Sequence, residues 1–212
     1  CKGRIMKNTK ILSLLLIGIV LLSGCAAKPE TNVTAYLDEL KTSISSDLNT
    51  IAIEKYFDTD VQITENNQEF TLESHESNEM TLRYLELFRG FEYKVIDSTV
   101  DGDTAIVNVE LTTYPVGELL QNYMVQLFSN VFEWSFAGLS EEEMTERSTT
   151  LFLELSNELK KTYISTVPVY LVKKEGKWLM VGSDKNFELI NALTGGVLEF
   201  AKKLAESSDV NG

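Results

Sequence analysis

Strict alternation of apolar and polar residues along two stretches of the chain predicts two β-hairpins. The first stretch covers positions 91–114 and contains Asp101-Gly102, a pair that is typical of a two-residue hairpin turn. The second stretch is STVPVYLVKKEGKWLMVGS, at positions 165–183, with its turn at Glu175-Gly176. Pro168 has no backbone N–H, so it predicts an unpaired edge on the first strand of that hairpin.

Apolar residues that recur every three or four positions predict helices in most of the remaining segments. The predicted helices cover positions 33–48, 51–57, 74–90, 116–138, 141–163 and 186–205, and a loop or small hairpin is expected at 61–70. Ser140 and Glu143 have the spacing of a capping box, which predicts a helix start. Gly90 is expected to end one helix, and Gly195-Gly196 is expected to break the last one.

The longest apolar segment, at positions 116–138, is predicted to be an amphipathic helix and not a membrane span. Polar residues interrupt it at helical intervals, namely Glu118, Gln121, Asn122, Gln126, Asn130 and Glu133. A helix with this pattern is buried on most of its circumference. Its aromatic residues either belong to the core or line a ligand pocket. The candidate ligand-binding residues are Tyr123, Phe128, Phe132 and Trp134.

The N-terminal segment has the pattern of a secretory signal. Basic residues precede an apolar run at positions 11–22, which is about half of the ~20 residues that a membrane-spanning helix needs. The run ends in LLSGC, so Cys25 directly follows a small Ser-Gly pair. This sequence resembles the lipobox of bacterial lipoproteins. The resemblance implies a diacylglyceryl thioether on the Cys25 sulfur and cleavage of the bond before it. The alternative is an ordinary signal peptide cut after Ala26 or Ala27, with Cys25 incidental.

These features predict how the chain is divided. A signal peptide is expected at 1–24, a lipidated tether at 25–33, a single α+β domain at 34–206 and a loose tail at 207–212. Residues 1–5 precede Met6, the expected initiator, and we interpret them as a mis-set start. Two acyl chains hold a protein stably on a membrane. We therefore expect the domain to be anchored on the outer face of the cell membrane.

Charge and composition restrict the partners and cofactors. Residues 1–24 carry four basic side chains and no acidic one, so their removal takes the net charge from −13 to −17. Such a surface repels a nucleic-acid backbone, and no nucleic-acid partner is expected. The chain has two cysteines, Cys1 and Cys25, and one histidine, His75. Neither a disulfide nor a thiolate or imidazole metal centre is therefore expected in the domain. No metal and no cofactor is predicted.

The order of these elements resembles the nuclear transport factor two-like superfamily, and more closely the lipoproteins of low-GC Gram-positive bacteria that share this fold. The resemblance depends on the LLSGC motif, the strand pair around Asp101-Gly102 and the tract VPVYLVKKEGKWLM. It covers positions 34–185 and implies a cone-shaped α+β fold, with a curved antiparallel sheet of two hairpins packed with helices. The helical pair at 116–163 is an insertion and a candidate lid, and the C-terminal helix is an addition. The resemblance also implies a Gram-positive source.

Members of that superfamily include isomerases and dehydratases with an Asp or His inside the cone. Asp97 is the candidate catalytic residue, because strand alternation places it on the same face as Phe91, Tyr93 and Val95; a solvated strand-end residue is the alternative. His75 lies in a polar helix start, where an exposed side chain is expected. The acidic run 141–143 is either a cation site or a favourable helix start, and the latter is preferred. Asp101-Gly102-Asp103 lacks the further ligands of a calcium loop.

Three functions remain open at this point. The leading interpretation is a membrane-tethered, non-enzymatic module that binds a small apolar ligand or an envelope protein. The first alternative is an isomerase or lyase that uses Asp97 or a neighbouring carboxylate, and the second is a structural envelope protein. An open apolar cavity would favour the binding module, and a buried carboxylate without partners would favour the enzyme. A sheet face filled with side chains would favour the structural envelope protein.

Overall fold

The computed structural model describes residues 27–43, 53–58, 79–182 and 184–209. Its helices are α1 (Pro29–Ser43), α2 (Ile53–Tyr56), α3 (Glu79–Arg89), α4 (Val116–Phe136), α5 (Glu141–Asn157), α6 (Phe187–Leu193) and α7 (Val197–Asp209). Its strands are β1 (Glu92–Asp101), β2 (Thr104–Thr113), β3 (Tyr163–Lys174) and β4 (Lys177–Met180). The predicted signal peptide, Cys25, His75 and the segment 61–70 lie outside the described residues. None of the described helices has the length and apolar composition that crossing a membrane requires.

Two antiparallel hairpins form one four-stranded sheet in the order β1-β2-β3-β4. Both turns lie where the sequence predicts them. Gly102 has a φ of +56° and Gly176 a φ of +80°, a left-handed conformation that glycine adopts without steric cost. The register of the central pair runs from Thr104 opposite Val172 to Thr113 opposite Tyr163. The predicted α+β fold, with its two hairpins, the helical pair inserted between them and the C-terminal helices, is confirmed.

Helices α1 and α6 cover the apolar face of this sheet. On β2, Val107, Val109 and Leu111 have no exposed surface, whereas the residues between them are partly exposed. Other residues of this core are Val33, Leu37, Phe91, Val169, Met180 and Leu189. Burial of a side chain of this size stabilises the fold by about 1.5–3 kcal/mol. We call α1, α2, the four strands and α6 the sheet layer.

Asn186 continues the hydrogen bonding of β4, which pairs with β3 only at positions 171–174. The side chain of Asn186 is fully buried. Its Nδ2 donates to the carbonyl oxygens of Tyr170 (3.1 Å) and Val181 (2.7 Å), and its Oδ1 accepts from the Tyr170 backbone N–H (2.8 Å). Pro168 lies beyond this ladder, at an edge of β3 that β4 does not pair with, as the sequence predicts.

Helices α3, α4 and α5, with the start of α7, form a second layer with a smaller core. Its buried residues are Leu87, Val116, Leu119 and Phe152. Arg83 links α3 to α5 within this layer, because its guanidinium donates to the Oγ (3.1 Å) and the carbonyl oxygen (2.9 Å) of Ser156. We call these four helices the helical layer.

The two layers meet where α4 begins, beside the break between α6 and α7. The Gly117 N–H donates to the Gly195 carbonyl over 2.9 Å. Gly195 has a φ of +63°, and a Cβ there would lie 1.9 Å from the carbonyl oxygen of Tyr114. The predicted helix break at Gly195-Gly196 is therefore confirmed, and glycine is required there because two backbone segments touch.

Three boundaries differ from the prediction. Helix α1 begins at Pro29, inside the predicted tether, because the fixed φ of proline suits the first position of a helix. Helix α5 ends at Asn157 and not near position 163, because Tyr163 already pairs with the end of β2 as the first residue of β3. Helix α7 continues to Asp209, into the predicted tail, where no Gly or Pro interrupts it.

Candidate functional site

Side chains fill the space between the sheet and the helices that cover it. The largest of them, including Phe91, Leu37 and Met180, are less than 2% exposed. Tyr36 contributes to the same packing, and burial raises the pKa of its hydroxyl to about 12. Among the three functions left open by the sequence, a filled sheet face favours the structural envelope protein, and it does not favour a protein that encloses a ligand there.

Asp97 lies on the exposed face of β1, so its predicted position is wrong. A β-bulge places Ile96 as an additional residue in β1, without a partner in β2. Because side chains alternate along a strand, one additional residue moves every later side chain to the other face. Ser98 therefore pairs with the buried Val107, whereas the Asp97 carboxylate accepts a hydrogen bond from the Asn108 side-chain amide over 2.6 Å. An exposed carboxylate with a polar partner lacks the apolar surroundings that the enzyme hypothesis requires.

The four candidate aromatic residues do not share a pocket. The Tyr123 ring packs edge-on against Phe152, with 5.6 Å between centroids, in the core of the helical layer. Trp134 is buried on the side of α4 that faces α5. Phe128 and Phe132 are exposed on α4. The sequence predicts the helix that bears these rings but not which of its faces each ring occupies, and their role in ligand binding stays a prediction.

Between α4 and α5 lies a groove of about 450 Å³ with Trp134 in its wall. The residues opposite Trp134 are mostly charged, and they include Glu143, Glu146, Arg147 and Glu154. Glu143 is engaged in the predicted capping box: its carboxylate accepts from the Ser140 backbone N–H (2.8 Å) and hydroxyl (2.9 Å), which lowers the Glu143 pKa. The acidic run 141–143 is thus part of a helix start. No group of three or more His, Cys, Asp or Glu in the described ranges is placed to hold a metal ion.

A second cavity, also of about 450 Å³, lies on the outer face of the sheet near its turns. Its lining includes Asp58, Ile106, Tyr170, Val172 and Lys185. The Asp58 carboxylate pairs with Lys174, with 2.7 Å between Oδ1 and Nζ. Because the carboxylate of this cavity is already bound within the chain, the arrangement does not point to a particular ligand.

Several ionisable groups with shifted pKa values connect structural elements. Glu39 of α1 accepts hydrogen bonds from the Lys55 ammonium (2.6 Å) and from the Tyr56 hydroxyl, which lowers the Glu39 pKa. The same carboxylate raises the pKa of Lys55 to about 12. The Tyr93 hydroxyl donates to Asp38 over 2.6 Å, and burial together with this contact raises the pKa of Tyr93 to about 12. A carboxyl with a lowered pKa is a poor general base at neutral pH, so these contacts are structural.

Helix α4 presents an apolar stripe to solvent. The stripe consists of Val125, Phe128, Phe132 and Phe136, with exposed fractions of 62, 63, 67 and 91%. Spacings of three, four and four positions place these residues on one helix face. Trp134 is two positions from Phe132 and therefore lies on the opposite side of α4. The sequence-based candidates missed Val125 and Phe136, although the 3-4-4 spacing was visible in the sequence. We refer to these four residues as the apolar stripe.

The segment that bears most of this stripe is also uncharged. Positions 119–132 contain no Asp, Glu, Lys or Arg, although 24% of the whole chain is charged. Soluble proteins rarely expose an apolar surface of several hundred Å² without a function for it. The apolar stripe is therefore the candidate functional surface of the described chain.

Comparisons with known proteins give little similarity. No protein-family model and no curated protein matches this chain. Among solved structures, a candidate lipoprotein (ycdA) from Bacillus subtilis subsp. subtilis str. 168 is similar, with 16% sequence identity and a TM-score of 0.39. The similarity covers 56% of this chain and 39% of that chain, so this chain matches less than half of the length of the other protein. The resemblance to the nuclear transport factor two-like superfamily stays a prediction.

Proposed function

We propose that this chain is a lipid-anchored extracytoplasmic lipoprotein that acts as a non-enzymatic, protein-binding module through the apolar stripe of α4. The exposure of the stripe is the observation that carries this proposal, because large exposed apolar patches mark interaction sites. The filled sheet layer supports a protein partner over a small molecule enclosed by the sheet. It also favours a second candidate function, a structural envelope protein, which would use the same surface for assembly.

The lipid anchor of this proposal would orient the domain. Pro29, the first residue of α1, follows Cys25 by four residues, and an extended chain of this length spans about 14 Å at most. Glu30 accepts a hydrogen bond from Ser98, which lies toward the turn of the first hairpin. The turns of the sheet would therefore lie beside the membrane. The first turn of α4 lies at the other end of the sheet, next to Gly195, and would be held away from the membrane.

The anchor is tested by the Cys25→Ala variant in the native host. We expect unprocessed protein, or protein released into the medium, because the thiol that would carry the lipid is missing. Cell fractionation with mass measurement of the product checks this expectation. Ala27→Ser is the matched control, because it changes a neighbouring position and keeps the thiol. Membrane-bound Cys25→Ala protein of the normal mass would contradict the lipoprotein part of the proposal.

The binding surface is tested by a photo-crosslinking phenylalanine analogue at position 132, inserted into the protein in host membranes. We expect light-dependent adducts with a protein. The same analogue in place of Ile164, which is 66% exposed on the outer face of the sheet, serves as the matched control. If position 132 gives no more protein adduct than position 164, the stripe is not a protein-binding surface and the proposed function fails.

A further inference from the structure

We infer that the partner of the apolar stripe is a second copy of this chain, bound about a two-fold axis with the two α4 helices antiparallel. This inference rests on the proposed function and names the occupant of the same surface. Its basis is the geometry of the stripe, its lack of charge and its area.

The stripe is complementary to itself. In a two-fold dimer each patch meets the same patch of the other copy. If the axis passes beside positions 130–131 of α4, Phe128 lies opposite Phe132 of the second copy, and Val125 lies opposite Phe136 of the second copy. The four stripe residues then form two kinds of contact, each made twice.

Charge favours a second copy over a basic partner. Without residues 1–24 each copy has a net charge of −17, so two copies repel each other over most of their surfaces. The segment 119–132 is uncharged, so the stripe is a face on which two copies can approach without opposing carboxylates. A site built for a basic partner would be expected to carry acidic residues within the stripe. Glu133 is the nearest acidic residue, and it lies beside the stripe on α4.

The area of the stripe suits a dimer of moderate stability. Phenylalanine side chains of about 200 Å² each, exposed to the extent given above, supply roughly 450 Å² of apolar surface. A standard interface buries about 800 Å² on each partner. The stripe therefore provides more than half, and its polar neighbours Gln121 and Ser129 can supply part of the remainder. Anchoring both copies in one membrane would raise their effective concentration further.

The test uses the lipid-free chain from Ala26 onward, which retains every described element, in sedimentation experiments over a wide range of concentrations. We expect a reversible dimer whose dissociation constant rises at least ~10-fold in Phe132→Ser. Ile164→Ser, also at an exposed apolar residue, is expected to leave the dimer unchanged. Added salt is expected to tighten the dimer, because it screens the repulsion between the acidic copies. A chain that stays monomeric at every concentration overturns the inference.

A pair of charge variants tests the antiparallel register. Phe128→Lys and Phe132→Glu should each be monomeric, because each introduces a charge opposite an aromatic ring. When the two variants are mixed, the new ammonium and the new carboxylate face each other, and the other contact stays Phe against Phe. We expect a heterodimer only in the mixture. Wild-type dimers without a heterodimer in the mixture would contradict this register.

The remaining outcomes separate the inference from the proposed function. If the purified chain is monomeric and position 132 crosslinks to a different protein, the proposed function stands and the inference fails. Monomeric chain that binds vesicles of phosphatidylglycerol and phosphatidylethanolamine, and loses that binding in Phe132→Ser, would assign the stripe to the membrane. That result would overturn both.

Discussion

The sheet layer and the helical layer place their large apolar side chains in opposite ways. In the sheet layer, Leu111 and its neighbours on β2 are fully buried beneath α1 and α6. In the helical layer, α4 packs against α5 and α7, while the apolar stripe is exposed. Apolar residues in the first layer stabilise the fold, whereas those of the stripe gain nothing until a partner covers them. The difference separates residues that maintain the structure from residues available for binding.

The largest expected effect comes from truncating one apolar residue in each layer. Leu111→Ala should lower the free energy of unfolding by about 2–5 kcal/mol, because it removes buried methyl groups and leaves a cavity. Phe132→Ala should change it by less than ~0.5 kcal/mol, although it removes a larger side chain. Urea unfolding of dilute, lipid-free protein measures both values. Comparable losses in the two variants would mean that the stripe is packed in the isolated chain.

Asn186→Ala should weaken the sheet layer by about 3 kcal/mol. The variant removes three hydrogen bonds and leaves the backbone groups of Tyr170 and Val181 without that partner. Urea unfolding measures the loss, and hydrogen exchange at the Tyr170 N–H should become faster. Asn122→Ala on exposed α4 is the control and should be nearly neutral. Unchanged exchange at Tyr170 would show that Asn186 does not extend the strand ladder.

Gly195→Ala tests the contact between the layers, and we expect a loss of more than ~2 kcal/mol. A residue with a Cβ in the left-handed region costs about 1–2 kcal/mol, and here the Cβ would also collide with the Tyr114 carbonyl. Gly102→Ala is the matched control, because Gly102 is also left-handed but a Cβ added there would meet no atom within 4 Å. Thermal unfolding measures the stability of both variants, and the difference between their losses gives the cost of the collision alone. Equal losses would mean that the layers are not in rigid contact there.

The smallest effect is expected from Ser140→Ala, at about 1 kcal/mol, because the variant removes half of a capping box at the exposed start of α5. Ser135→Ala, on exposed α4, is the control. The folded-state pKa of Glu143 is lowered by its bonds to Ser140. The ionised Glu143 carboxylate therefore stabilises the fold above the unfolded-state pKa of 4.5. This stabilisation is lost as the pH falls through the folded-state pKa.

The same pKa shift predicts how the cost of Ser140→Ala depends on pH. The hydroxyl that the variant removes is one of the groups that bind the Glu143 carboxylate. The difference in unfolding free energy between wild type and variant should therefore narrow below about pH 4.5. Urea unfolding at about pH 7 and about pH 3 measures it. If the difference in unfolding free energy is the same at both pH values, Glu143 does not take part in the cap.

Local signals in the sequence were sufficient for much of the fold. The Asp101-Gly102 turn, the capping box at Ser140 and the break at Gly195 each depend on the conformation of a few neighbouring residues, and the structure confirms all three. The end of α5 was missed because residues 158–162 contain no Gly or Pro. That helix ends because Tyr163 pairs with Thr113 of β2, and this long-range contact cannot be read from the local sequence.

The candidate site depended on information that a single sequence does not contain. A β-bulge has no fixed sequence signature, so the additional residue Ile96 and the reversed position of Asp97 could not be anticipated. In α4, apolar residues occur on several sides of the helix. The sequence therefore predicts the helix without indicating whether α5 and α7 cover Trp134 or Phe132. Tertiary packing decides this point.

The β-bulge also affects whether strands of other proteins can pair with the edge of this sheet. Strand β1 forms one border of the sheet, where a long flat strand would offer its free backbone groups to amyloid-like growth. The distortion at Ile96 interrupts the regular hydrogen-bonding pattern midway along this border, and Lys94 and Asp97 place charges on either side of it. A foreign strand docking there would lose register and bury charge. The irregularity that removes Asp97 from the protein interior is thus expected to oppose the addition of a foreign strand at this border.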